Sequence, residues 1–442
     1  MTVFKPSTLA LCCALCTPLA ARAETASPTP ATPAPATDVV TAAPAPAPTP
    51  PAAPAPEKPA PAPAPKVTFD FGAWIILNGW ADVGALNAAD LPRTALPGRS
   101  EQALGGSVRQ SRLRATIGVP NDGGLVGGAV LKAFVETDFA GGYASADDAA
   151  PLLRLRHGYV QATWKDLGNL SVLAGQTADI FHGSVAAASL AHLATPRFAG
   201  AGYLYRRAPQ LRIQGDLGKD VALAYQVGAI SAADKATSTQ PGAAATGVGY
   251  RSFAPDAEAR VAFLYRAAGP LKAELGVGGR YGEEKWILGT GATAYSHVVK
   301  SQGVAADLKV EAGFVTVVGG AFAGENLDVA NSLAPGVLTA GTAPAFTSVK
   351  SVPTKGAWGQ LQVRPLKPLL LLAGAGVETP RKKYLSTAVT SVYRNVELSA
   401  GVLVDLTSRW RVGLEGTRYV SYTVDGKIAR SDQLELSSLL SL

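Results

Sequence analysis

Residues 152–181 decide the fold, and they read LLRLRHGYVQATWKDLGNLSVLAGQTADIF. The pattern predicts two strands joined by a tight polar turn at residues 165–169, and successive side chains of a strand point to opposite faces. One predicted face carries Leu153, Leu155, His157 and Tyr159, and the other carries Arg154, Arg156, Gly158 and Val160. Paired arginines opposite leucines suit a barrel with an apolar exterior and a wet interior better than a soluble core.

Similar alternation recurs in segments of about ten residues, separated by Gly, Asp, Asn and Pro, as in transmembrane barrels. No stretch after the N-terminal leader is long and apolar enough for a membrane-spanning helix. We therefore predict an all-β fold, a transmembrane up-and-down antiparallel β-barrel of about 16 strands preceded by a disordered Pro/Ala-rich segment. The predicted strands are 71–86, 107–120, 125–140, 151–165, 169–181, 201–216, 220–231, 256–268, 270–283, 299–311, 313–324, 355–366, 368–379, 391–406, 409–424 and 429–442.

The predicted connections alternate between long and short, which is typical of a barrel with tight turns at one end and long loops at the other. Only the last turn at the long-loop end, residues 425–427, is short. Strand 429–442 is predicted to close the barrel, although its last residue is Leu442 where outer-membrane barrels usually have an aromatic residue. An even number of strands brings both ends of the barrel to the same side of the membrane.

Residues 1–23 read as a secretory signal peptide, with Lys5 before a short apolar core and a small-x-small cleavage pattern. All three cysteines lie in this segment; they leave open a lipoprotein signal, although no small residue precedes them suitably. Residues 24–66 are predicted to form an extended spacer, because they are almost wholly Pro, Ala and Thr. The spacer is either a plain linker or a segment that contacts the cell wall. The barrel is predicted over residues 67–442.

The formal charge is +7, and it becomes +5 when Lys5 and Arg22 leave with the signal peptide. Charged residues on the predicted strands must face the lumen, because a cation on the lipid side costs roughly 2–4 kcal/mol at the bilayer centre. Basic residues outnumber acidic ones on this face, which predicts a lumen that favours anions. The predicted pore-lining and anion-guiding residues are Arg112, Arg114, Arg154, Arg156, Arg212, Arg260 and Arg280. The first four stand out because neither of their strands carries an acid on its charged face.

Four stretches resemble the DcaP-like outer-membrane porins. They are Ser111-Arg112-Leu113-Arg114, residues 153–160 (LRLRHGYV), residues 173–177 (LAGQT) and, more weakly, residues 207–212 (RAPQLR). The resemblance implies a sixteen-stranded homotrimeric barrel that passes small anionic solutes such as dicarboxylates. It also implies an arginine-lined constriction, carried here onto Arg112, Arg114, Arg154 and Arg156. The chain departs from that family at Ala178, where a tryptophan is frequent, and in residues 24–66, which cannot form its N-terminal coiled coil.

Other chemistry finds little support in the sequence. His182 and His192 share a long predicted loop and are expected to be solvent-exposed, since their spacing fits no zinc pattern. No Ser-His pairing is readable, so we expect no enzyme activity, no cofactor, no metal and no nucleic acid partner. Loop 182–200 is expected on the surface, with folding into the pore as the alternative. Two other functions stay open: a structural or cell-wall-tethering barrel with little transport, and a barrel for apolar or aromatic substrates.

Overall fold

The computed structural model describes residues 66–98, 101–121, 123–142, 151–232, 247–341, 346–386 and 391–442. The predicted signal peptide and all of the spacer except Lys66 lie outside these residues. The described residues form strands, connecting segments and single turns of 3₁₀ helix. Those turns are Gly124–Val126, Lys165–Leu167, Tyr250–Ser252, Gly291–Thr293, Asp328–Ala330 and Lys382–Tyr384. No helix in this part of the chain could cross a membrane.

The described residues contain nineteen strands, and seventeen of them belong to one antiparallel sheet. They are β1 (Thr68–Val83), β2 (Gln102–Ser107), β3 (Arg112–Val119), β4 (Val130–Asp138), β5 (Arg154–Trp164), β6 (Leu170–Ala178), β7 (Arg207–Gly218), β8 (Val221–Ile230), β9 (Asp256–Tyr265), β10 (Leu271–Leu288), β11 (Tyr295–Ala312), β12 (Val315–Glu325), β13 (Val337–Ala340), β14 (Ser348–Ser351), β15 (Pro353–Leu366), β16 (Leu369–Pro380), β17 (Val392–Asp405), β18 (Trp410–Thr423) and β19 (Ile428–Ser441). The remaining two, β13 and β14, form a separate hairpin in the loop after β12.

The large sheet is a closed barrel with sixteen strand positions around its wall, as predicted. We call each of these positions a stave. Each strand pairs with its neighbour in the chain, and β19 pairs with β1 to close the ring. Strands β2 and β3 both pair with β1 and make up one interrupted stave. At the interruption Ser111 Oγ accepts a hydrogen bond from Ile76 N at 3.0 Å and replaces part of the ladder. Closure leaves no sheet edge with unpaired backbone groups, which a membrane requires.

The burial pattern of the staves is inverted relative to a soluble protein. On β19 the leucines at 434 and 436 are 52% and 63% exposed, whereas Glu435 between them is 2% exposed. On β9 Val261 and Phe263 are exposed, whereas Arg260 is buried. The apolar face is therefore the outside of the barrel and the charged face is the inside, which confirms the predicted alternation.

One local prediction of facing is wrong. The ladder between β4 and β5 has a bulge at Arg156, so that Glu136 pairs with His157 and Val135 pairs with Gly158. A bulge adds one residue to a strand and re-aims the side chains that follow. His157 therefore shares the inward face of Glu136, and Val160 points outward, where it is 58% exposed.

Candidate functional site

The segment between β6 and β7, residues 179–206, lies inside the barrel. The expectation of a surface loop is wrong, and the alternative, that the loop folds into the pore, describes the structure. Gln110, held at the interruption between β2 and β3, accepts hydrogen bonds from Leu193 N and Ala194 N at 2.8 and 2.7 Å and donates to the Ala191 carbonyl. On the opposite wall Gln360 accepts a hydrogen bond from the amide of Ala188 and donates one to the carbonyl of Ala188. We call residues 179–206 the inner loop.

Small residues let the inner loop lie against the wall. Its sequence from 186 to 191 is AAASLA, which offers little side-chain bulk. Where the loop meets β16, a Cβ on Gly376 would stand 2.2 Å from the Ala201 carbonyl oxygen. A Cβ on Gly202, whose φ is +105°, would stand 2.4 Å from the carbonyl oxygen of Ala357. Phe198 stacks on Trp358 in the same region, at 5.9 Å between ring centroids. The loop is therefore packed like a core segment.

Arg197 anchors the inner loop to β17–β19. Its guanidinium is completely buried and lies 2.7 Å from Glu435, 3.2 Å from Glu415 and 3.8 Å from Glu397. Burial would lower the pKa of Arg197, but the carboxylates of Glu435 and Glu415 outweigh burial and raise it, so the arginine stays charged. Glu415 also accepts hydrogen bonds from the loop amides of Leu190 and Ala191 at 2.7 and 2.9 Å.

The two loop histidines are enclosed, which contradicts the expected solvent exposure. His182 contacts Asp179, and His192 Nε2 lies 3.3 Å from Glu435 Oε1. Burial would lower the pKa of His182, yet the carboxylate of Asp179 outweighs burial and raises it. His192 thus joins the inner loop to β19, whereas His182 pairs within the loop. Within the described residues no group of His, Cys, Asp and Glu is arranged to hold a metal.

A cation-rich wall, formed by β1, β3, β4, β5 and the start of β7, stands beside the inner loop. We call it the basic wall, and its cations are Arg112, Arg114, Lys132, Arg154, Arg156 and Arg207. The guanidiniums of Arg112 and Arg114 both lie 4.9 Å from the ring of Trp74, in cation–π geometry. Similar contacts join Lys132 to Tyr159 at 5.7 Å and Arg207 to Tyr205 at 4.9 Å.

Two acids of β4 lie between the predicted arginine strands and partly neutralise them. Arg156 contacts Glu136 and Asp138 at 2.7 Å each, and Arg154 contacts Asp138 at 2.7 Å. Arg112 lies 3.5 Å from Glu136 and also donates to the carbonyl of Leu193. The predicted absence of acids therefore holds within β3 and within β5, but the neighbouring strand β4 supplies acids to the arginines of both. Six cations still face two carboxylates, and no carboxylate among the described residues pairs with Arg114, Lys132 or Arg207.

The other predicted arginines lie elsewhere around the barrel and are engaged in ion pairs or hydrogen bonds with the wall. Arg260 contacts Asp307 at 2.5 Å and Glu274 at 2.7 Å, and Arg280 contacts Asp256 and Glu258 at 2.6 and 2.8 Å. Arg212 donates to Gln210 Oε1 at 2.9 Å and to the carbonyl of Ala178. All three are buried. The geometry thus brings together the arginines of β3 and β5 and leaves these three as wall contacts.

The acids and bases of the lumen differ in their burial. Glu397, Glu415 and Glu435 are 1–2% exposed beneath the inner loop, and Glu136 and Asp138 are buried by their arginines. In contrast, Arg114, Lys132 and Arg207 are half-buried, and the side chain of Arg154 retains 29% of its exposure. Open positive charge therefore outweighs open negative charge beside the inner loop.

A cavity of about 390 Å³ lies between the inner loop and the short-turn end of the barrel. Its lining includes Trp74, Leu190, Leu193, Trp410 and Arg411. Trp74 belongs both to this cavity and to the basic wall. Sequence reasoning missed Trp74, Tyr205 and Arg207, because their roles depend on contacts between distant strands. Arg207 alone had a signal, since it begins the fourth resembling stretch.

The fold is that of known outer-membrane channels. The outer-membrane channel DcaP of Acinetobacter baumannii superimposes with a TM-score of 0.66 at 15% identity, over 85% of this chain and 97% of that one. An anion-selective porin from Comamonas acidovorans gives a TM-score of 0.50 at 13% identity, over 85% and 100%. OprB of Pseudomonas putida gives 0.50 at 10% identity, over 85% and 94%. No protein-family model matches the chain. No curated protein matches it.

Proposed function

We propose that this chain is an outer-membrane porin through which small anionic solutes diffuse more readily than cations. The observation that carries the proposal is the unequal burial of lumen charge. The carboxylates of Glu136, Asp138, Glu397, Glu415 and Glu435 are covered by the inner loop or by the arginines they contact, whereas Arg114, Lys132, Arg154 and Arg207 remain partly open. An excess of one charge between low-dielectric walls raises the local concentration of the opposite ion.

The anion-guiding set is accordingly Arg114 and Arg154 from the sequence prediction, with Lys132 and Arg207 added. Arg112 is left out because it is buried against Glu136 and the carbonyl of Leu193. Arg156 acts in this scheme as a support, because its guanidinium holds both Glu136 and Asp138. Arginine forks pair well with carboxylates, so small carboxylates, including dicarboxylates, are the proposed solutes. That neighbours in the fold include an anion-selective porin agrees with this choice.

The proposed orientation has the short turns in the periplasm and the long loops outside the cell. Strand β1 then begins at the periplasmic end, so residues 24–66 would precede the barrel on the side of the cell wall, which they are proposed to contact. A homotrimer in the outer membrane is the proposed assembly. The predicted signal peptide and the expected lack of enzyme activity stay predictions.

Planar-bilayer recording tests the proposal. With a tenfold gradient of potassium chloride, we expect a reversal potential of the sign that chloride permeation produces. The Arg114→Gln variant should shift that potential toward zero. A matched control is Arg266→Gln, which removes an arginine that pairs with Asp216 at 2.8 Å and is half exposed at the short-turn end. A cation-selective wild type, or a barrel without ion currents, refutes the proposal; the latter result would favour a tethering role.

A further inference from the structure

The outward face of the long-loop end carries a basic surface that the passage of ions does not use. Lys382 and Lys383 lie in the loop after β16, Arg394 lies on β17 and Arg430 on β19, and all four are exposed. Together with Tyr393 and Tyr422 we call them the outer basic patch. Arg394 pairs with Tyr422, and its inward neighbour Asn395 is fully buried, so Arg394 points away from the lumen.

Ring contacts connect four members of the patch, Lys382, Tyr393, Tyr422 and Arg394. Lys382 Nζ lies 4.8 Å from the ring centroid of Tyr393, and the rings of Tyr393 and Tyr422 are 6.3 Å apart. The guanidinium of Arg394 lies 5.4 Å from the ring of Tyr422. A bulge between Val392 and Arg394 displaces Tyr393 from the ladder and leaves it beside Lys382. Aromatic rings thus hold Lys382 and Arg394 side by side.

Charge in the patch is uncompensated. Among the described residues no carboxylate pairs with Lys382, Lys383, Arg394 or Arg430. The acids nearby are already engaged, because Asp432 contacts Arg418 at 2.7 Å and Asp425 contacts Lys427 at 3.0 Å. Four cations on one small surface repel one another, which favours binding of an anion with several charges.

The height of the patch agrees with a lipid headgroup. Outward residues of β18 run from Trp410, 45% exposed near the short turns, to Tyr422. The twelve residue-to-residue steps from Trp410 to Tyr422 span about 40 Å along the strand, or about 30 Å along the membrane normal at a tilt of about 40°. The apolar band of such barrels is about 25 Å tall. Tyr422 and the cations around it therefore lie just beyond the hydrocarbon.

We propose that the outer basic patch binds the phosphate groups of an anionic glycolipid in the outer leaflet. The inference rests on the proposed insertion in the outer membrane but not on ion selectivity. Lipid phosphates, and not free phosphate, are the proposed ligand, because the patch faces outward at headgroup height. The outward exposed leucines below it, Leu398 and Leu434, offer apolar contact to acyl chains.

The test compares two triple variants of the full chain, folded in detergent. The patch variant is Lys382→Gln, Arg394→Gln and Arg430→Gln, and the control is Lys165→Gln, Lys219→Gln and Lys367→Gln, three exposed lysines in short turns. Binding of doubly phosphorylated lipid A is measured in mixed micelles, with the dephosphorylated lipid and inorganic phosphate as separate probes. Near a charged surface each cation contributes about a fivefold gain in affinity, so the patch variant should lose roughly 100-fold. The control should stay within about twofold of the wild type.

Equal affinity of the wild type and the patch variant for lipid A overturns the proposal, as does equal binding of the dephosphorylated lipid. Competition by millimolar inorganic phosphate would identify a free-phosphate site and would also overturn it. Bilayer currents of the same preparations separate the two proposals. Normal anion currents without lipid binding refute only the patch, and lipid binding without currents refutes only the porin function.

Discussion

Replacing Arg197 by methionine tests whether the inner loop is fastened by charge. The substitution keeps the side chain long and apolar but removes the partner of three buried carboxylates, those of Glu397, Glu415 and Glu435. Removing one partner of a buried ion pair costs about 3–5 kcal/mol. The barrel ladder does not depend on Arg197, so this cost should appear as local opening of the loop.

Hydrogen exchange measures that opening directly. The amides of Leu190 and Ala191 donate to Glu415, and a loss of 3–5 kcal/mol should speed their exchange by roughly 10²–10⁴. The amides of β9, remote from the anchor, should exchange as in the wild type. Arg266→Gln serves as the control, because an exposed ion pair is worth only about 0–1 kcal/mol. Unchanged exchange at residues 190 and 191 would refute the reasoning, since the loop would then be held without its arginine.

Three further predictions follow from the charges of the lumen. Arg114→Gln should lower the chloride-to-potassium permeability ratio about tenfold, because a unit charge about 6 Å from the passing ion favours chloride and disfavours potassium by about 0.7 kcal/mol each in water; an unchanged reversal potential would remove Arg114 from the pathway. Asp138→Asn should raise anion preference in the same recordings, because it frees the arginines that Asp138 binds; lowered preference would contradict this. The pKa of His182 is raised above 6.5 by Asp179, so the stability this pair provides is complete below 6.5 and is lost as pH rises through the folded-state pKa. Thermal unfolding across that range should show the loss in the wild type but not in His182→Gln, and identical curves would exclude the pair as its source.

The sequence predicted the staves well because their signal is local. Outside the bulges the strands alternate with period two, and each of the sixteen predicted segments overlaps an observed one, with the second divided into β2 and β3. The bulge at Arg156 escaped prediction because it depends on register against β4, which no single strand encodes. For the same reason the ion pairs of Glu136 and Asp138 with the arginines of β3 and β5 were not predicted. Which side chains meet across neighbouring strands depends on the register between those strands.

The inner position of the loop was predicted only as the alternative to a surface loop, for a different physical reason. Its run of alanines is compatible with a surface loop. Nothing within residues 182–200 indicates that Gln110, Gln360 and Glu415 on the barrel wall accept hydrogen bonds from the loop amides. Polar residues facing a barrel lumen are expected to meet water, so their use as hydrogen-bond partners for a peptide segment is not encoded in alternation. His182 and His192 were misassigned by the same route.

Because the inner loop covers the carboxylates of β17–β19, ion preference and loop folding are linked. Arg197 is not part of the open basic wall, yet Arg197→Met should lower anion preference, since a released loop exposes Glu397, Glu415 and Glu435 to the lumen. Adding Glu415→Gln and Glu435→Gln to that variant should restore the preference, because two of the three exposed charges are then gone. The double variant Glu415→Gln and Glu435→Gln, with Arg197 kept, separates this explanation from a direct effect of charge. Carboxylates that the loop conceals should leave the ion preference of the double variant near that of the wild type, whereas a direct effect of lumen charge should raise its anion preference. Reversal potentials of the single, double and triple variants therefore show whether selectivity comes from which charges are present or from which charges the loop conceals.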